Sequence, residues 1–109
     1  MPEECSLRLT RRYAEPPAEV WRALTEPASL ERWLRPGFDV PQREVEPGRV
    51  LELDWRPPGE EPSVVRIELS DAGSGTRLVL DHERIEATHG MAAMRFWFAA
   101  LEGFPLEAR

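Results

Sequence analysis

His82 is the side chain in this sequence best suited to chemistry. It follows Leu78 and Leu80 at two-residue spacing, so in an extended strand the three share one face. Val79, Asp81 and Glu83 then share the other. An imidazole beside leucines could hold a ligand carbonyl or move a proton. Catalysis would also need a nucleophile or acid partner, and the spacing of residues supplies none. The competing reading is a hydrogen-bonded histidine at the rim of the core. His82, Glu83, Glu86 and His89 lie close in sequence, but their spacing is not H-E-x-x-H, and no metal site is expected. Cys5 stands alone, with no nearby His or Asn, and reads as a small hydrophobe rather than a nucleophile. Gly73 and Gly75 flank Ser74, yet no helix start follows them, so a phosphate loop is rejected and no cofactor is expected. Trp33, Phe38, Trp55, Met94, Trp97 and Phe98 form an apolar set. With His82 as a polar anchor they could line a ligand cavity, or they could simply fill the core.

The elements that must position these residues follow from periodicity. Thr88 to Phe104 is the longest apolar helical stretch, with Thr88 able to cap it and Gly103-Pro105 able to stop it. At about 100° per residue, Met91, Met94, Trp97, Phe98 and Leu101 fall on one broad face, which is expected to point inward. Phe96 then points away from that face. Upstream, Cys5, Leu7 and Leu9 alternate with polar residues and predict a strand running to about Tyr13. Pro16-Pro17 ends it and opens a short helix carrying Val20, Trp21 and Leu24. A second short helix is expected with Leu30, Trp33 and Leu34 inward, ended by Pro36-Gly37. Phe38 to Val45 gives a weak signal for one edge strand, because Pro41 sits badly in a central one. Val50 to Trp55 alternates with Leu51, Leu53 and Trp55 on one face. Val65, Ile67 and Leu69 mark the next strand, and Asp71 to Gly75 is a hairpin turn into the strand of His82. Strands joined by hairpins, with helices kept apart from them, make an α+β class with an antiparallel sheet.

Composition narrows the function. The chain has 109 residues, which suits one domain with a core of its own. Its formal net charge is -6 and it has no basic stripe, so nucleic acid is an unsuitable partner. All basic residues are Arg, and there is no Lys. The start carries no basic segment followed by an apolar run, and the apolar run Phe96 to Leu101 is too short to span a bilayer. With one cysteine, a reducing, cytoplasmic setting is expected.

Arg11 to Leu34, R-R-Y-A-E-P-P-A-E-V-W-R-A-L-T-E-P-A-S-L-E-R-W-L, resembles the opening of the AHSA1-like branch of the START/Bet v 1 (SRPBCC) superfamily. Gly75-Thr76-Arg77-Leu78 through His82-Glu83 resembles a strand of that branch, and Trp97 to Leu101 resembles its C-terminal helix. The resemblance implies a helix-grip fold, a curved antiparallel sheet wrapped on the long last helix with a cavity between them. This chain is shorter than such proteins by about two strands, between Leu34 and Val50, and Phe96 stands where Gly commonly precedes the helix Trp.

The expected function is therefore a non-enzymatic domain that binds an apolar small molecule or a protein partner between sheet and C-terminal helix. One alternative is an enzyme of the polyketide cyclase or hydrolase kind, using His82. Another is a chaperone-linked interaction domain like the activator of the Hsp90 ATPase. An outward Phe96, and a strand edge near Val45 to Val50 left bare by the shortened sheet, predict a homodimer through one of those two surfaces.

Overall fold

A computed structural model describes residues 4–26, 40–56, 58–59, 62–86 and 89–102. The expected second short helix with Leu30, Trp33 and Leu34, the residue Phe38, the cap Thr88 and the stop at Gly103 lie outside the described residues.

Among the described residues there are five strands: β1 (Glu4–Tyr13), β2 (Gln42–Glu46), β3 (Val50–Trp55), β4 (Ser63–Ala72) and β5 (Gly75–Glu86); all but the polar β2 carry alternating apolar residues. Two helices are described, α1 (Pro17–Thr25) between β1 and β2, and α2 (Gly90–Glu102) after β5. The sheet is antiparallel throughout, in the order β1-β5-β4-β3-β2. Thus β1 and β2 are its edges. Pro17 occupies the first helical position of α1, where its missing N–H costs no hydrogen bond.

The two faces of the sheet differ as period-two alternation requires. The inner face carries Leu7, Leu51, Leu53, Val65, Ile67, Leu69, Leu78 and Leu80, all buried, together with Val20 and Leu24 from α1. Trp97 and Leu101 of α2 close the same core. The outer face carries charges in cross-strand pairs. Arg43 on β2 pairs with Glu52 and Asp54 on β3, and Arg66 on β4 reaches Glu52. Exposed pairs of this kind each contribute about 0–1 kcal/mol. Their larger effect is to keep this face wet and single-layered.

The edge strand β2 starts one residue after Pro41, later than the expected Phe38. The Pro41 carbonyl instead accepts from the Asp54 N–H at 2.9 Å, so the proline contributes its acceptor without having to donate. The register of β2 on β3 shifts between Glu44 and Glu46, leaving Val45 as an extra residue that is half exposed.

A second irregularity positions the site. The β1–β5 register passes from Leu7↔His82 to Cys5↔Ile85, so Glu83 and Arg84 together oppose Ser6. Arg84 takes the left-handed conformation, φ 63°, a strain of about 1–2 kcal/mol for a residue with a side chain. This bulge lets His82 and Ile85, three residues apart, both point into the core.

Gly75 is fixed by space. An added Cβ would lie 2.1 Å from the Tyr13 carbonyl oxygen, a backbone atom that cannot swing aside. Gly75→Ala should force the start of β5 off β1 and destabilise the domain by about 1–3 kcal/mol, the usual cost of overpacking, measured in urea melts. A loss under 0.5 kcal/mol, about the scatter of an ordinary surface substitution, would mean that the two strands do not approach this closely.

Candidate functional site

The alternation of β5 drives His82 inward, where it is 1% exposed. Its ring lies between two elements. On one side Ser63, at the start of β4, places Oγ 2.8 Å from Nε2. On the other, the Trp97 indole N–H from α2 donates to Nδ1 at 3.0 Å. These two contacts fix the tautomer. An indole N–H can only donate, so Nδ1 must hold a lone pair. The neutral ring then carries its proton on Nε2 and donates it to the Ser63 hydroxyl. Burial pushes the His82 pKa down to about 4, since the charged imidazolium would lose its water.

Rings complete the cluster. Trp55, at the end of β3, lies with its centroid 5.6 Å from His82 and 5.0 Å from Trp97. Phe96 sits 5.1 Å from Trp55 and 5.0 Å from Trp97. Such tilted and edge-to-face pairs contribute about 0.5–1.5 kcal/mol each beyond burial. The Tyr13 hydroxyl donates to the Leu101 carbonyl at 3.3 Å, tying the end of β1 to the last turn of α2, and burial raises its pKa to about 12.

The apolar set read from the sequence therefore divides. Trp55, His82 and Trp97 come together in one buried cluster. Trp33 and Phe38 lie outside the described residues. Met94 and Phe98 do not join the cluster: they are 42% and 50% exposed, and Met91 is 66% exposed. This corrects the expected facing of the last helix. Its buried residues are Ala93, Trp97, Ala100 and Leu101, with Phe96 half buried beside them. The helix lies nearest the edge strand β1, and its two inward alanines allow a close approach while Trp97 and Trp55 fill the space behind. Phe96 is therefore covered by Trp55 and is not the outward contact it was expected to be. Phe98 instead is half exposed, and the Arg11 guanidinium from β1 stacks over its ring at 4.7 Å.

Ser63 was missed in the sequence. It precedes Val65 by two and so shares that residue's inward face, and Val65 pairs directly with His82. A serine diagonal to a buried histidine was the available signal. Chemically, Ser63 and His82 resemble a nucleophile–base pair, but the proton is on the wrong nitrogen. A base needs a free lone pair on Nε2, which requires an acceptor at Nδ1. Trp97 offers a donor there.

An antiparallel sheet with both described helices on one face, the long one gripping the inner side, defines a helix-grip protein of the SRPBCC type. Residues 35–104, more than half of the chain, match the family model described as activator of Hsp90 ATPase homolog 1-like protein. The chain belongs to that family. Among solved structures it is similar to CalU16 from Micromonospora echinospora, at 29% identity over 92% of this chain and 73% of that one, with a TM-score of 0.81. It is similar in fold to the Aha1 dimer from Colwellia psychrerythraea, at 15% identity over 90% of this chain and 91% of that one, TM-score 0.74. It also shares its fold with DynU16 from the dynemicin biosynthetic locus, at 19% identity over 91% of this chain and 45% of that one, TM-score 0.77. The curated proteins gave no significant match.

Proposed function

We propose that this is a non-enzymatic binding domain that engages a protein partner through the outer face of α2. The observation that carries this reading is the row Met91, Met94 and Phe98, three large apolar side chains exposed along one helix. Methionine and an aromatic together make an adaptable contact surface, and exposed apolar groups that cluster mark interaction sites. Two further points support it. The His82 lone pair accepts from Trp97, which speaks against the cyclase or hydrolase alternative. Among the described residues, the space between β3, β5 and α2 is occupied by Trp55, His82, Phe96 and Trp97 in mutual contact, which favours an external surface over a small-molecule cavity.

The test is titration with an environment-sensitive apolar dye at a chain concentration low enough to keep the protein monomeric, so that the α2 face is open, with native mass spectrometry of freshly purified protein alongside. Phe98→Glu should weaken dye binding at least tenfold without lowering the melting temperature by more than about 2 °C, since the residue is half exposed. Unchanged dye affinity in Phe98→Glu, or a small molecule retained at one per chain, would transfer the site to the interior and restore the cavity reading.

A further inference from the structure

The outer face of α2 is self-complementary, and we infer that its partner is a second copy of this chain, docked as an antiparallel α2–α2 pair about a two-fold axis. The inference rests on the partner-binding reading above and names the partner. Arg95 and Glu102 are seven residues apart, so they share one helical face at a separation of about 10.5 Å. Both are exposed, and Phe98 lies between them on the same side. Place a two-fold axis between Phe98 and Ala99. Arg95 then meets the second copy's Glu102, and Glu102 meets its Arg95. The two contacts bracket a centre where Phe98 packs over the small Ala99 of the opposite helix. Exposed Ala92 and Ala99 let the two backbones approach.

Charge also selects the direction. A parallel pair would set Arg95 against Arg95 and Glu102 against Glu102, a repulsion that the antiparallel pair turns into two attractions. Antiparallel helix dipoles act in the same sense. The Arg11 guanidinium lies over one face of the Phe98 ring, so the ring is already held in place before docking. The other routes to a dimer are less suited. Phe96 is covered by Trp55. The β2 edge is broken by the bulge at Val45 and carries Arg43, Glu44 and Glu46, devices that discourage strand-to-strand pairing.

The experiment is light scattering and sedimentation on the full chain over a concentration series, with a charge exchange at the two positions. Wild type is expected at twice the chain mass. Arg95→Glu alone and Glu102→Arg alone should each raise the dimer dissociation constant at least tenfold, since each sets two pairs of like charges together. The double exchange, R95E with E102R, should return it to within about threefold of wild type, since the pairs re-form with signs reversed. Both substitutions are on an exposed helix face, and circular dichroism melts of the three variants check that the fold is kept. A double variant as weak as the singles overturns the inference, as does a dimer that neither single change affects. A wild-type monomer at high micromolar concentration also overturns it. In that case the dye titration of Phe98→Glu decides separately whether the α2 face binds a different partner.

Discussion

Trp97→Ala should remove most of the folding stability of this domain. Truncating a buried Trp costs about 3–5 kcal/mol through lost burial and the cavity left behind. Here the residue is fully buried and holds ring contacts to Trp55, His82 and Phe96. It is also the donor to His82 Nδ1. Deleting that donor leaves a buried acceptor unpaired, a further penalty of about 1–3 kcal/mol. The combined loss is comparable with the whole stability of a small domain, about 5–15 kcal/mol. Trp97→Phe separates the two effects. It keeps most of the bulk and the ring but removes the N–H, so urea melts should show a loss of about 1–3 kcal/mol above that of the smaller volume. Adding His82→Leu to Trp97→Phe removes the orphaned acceptor and should recover part of that loss. If Trp97→Phe were neutral, the hydrogen bond would not be holding the histidine.

The strands other than β2 were legible in the sequence because each has one wet face and one buried face. Leu51-Leu53-Trp55 alternates with Glu52 and Asp54, and Leu78-Leu80-His82 with Val79 and Asp81, so a register error would put a carboxylate in the core, and the inward facing of His82 followed directly. The facing of α2 was not legible. Its sequence G-M-A-A-M-R-F-W-F-A-A-L-E places Met, Phe, Trp or Ala at nearly every angle, so the period of 3.6 identifies a helix without choosing its buried side. Side-chain bulk alone points to the methionines as the inward residues. The structure buries Ala93 and Ala100 instead, because close approach to β1 needs small residues, with Trp97 wedged between them. The same rotation moves Phe98 outward and Phe96 under Trp55. Ser63 escaped for a different reason: its partner lies on another strand, and only the strand register brings the two together. The bulge at Arg84 has no sequence signal either, since glycine would be the usual residue for that backbone.

Stability should fall in acid through a window that His82 sets. Unfolded, its imidazole titrates near 6.5; folded, burial holds it down to about 4. Above pH 6.5 both states are neutral at this position and the full contribution is present. As pH falls from 6.5 toward 4, the unfolded chain takes up a proton that the native chain refuses. Stability is lost through that interval, and below about 4 this residue costs nothing more. The size of the step is about 3 kcal/mol, from the difference between the two values. The mechanism is visible in the contacts. A proton added at Nδ1 would face the Trp97 N–H head-on, so protonation breaks the bond as well as burying a charge. Urea melts at pH 4, 5, 6 and 7 should show the slope in wild type, and His82→Gln should flatten it, because an amide does not titrate. The Nε2–H tautomer is read independently from the imidazole nitrogen shifts in NMR at pH 7. Finding the proton on Nδ1, or a His82 that titrates near 6.5 in the folded protein, would remove the argument that this histidine is structural and would reopen the Ser63–His82 pair as a catalytic site.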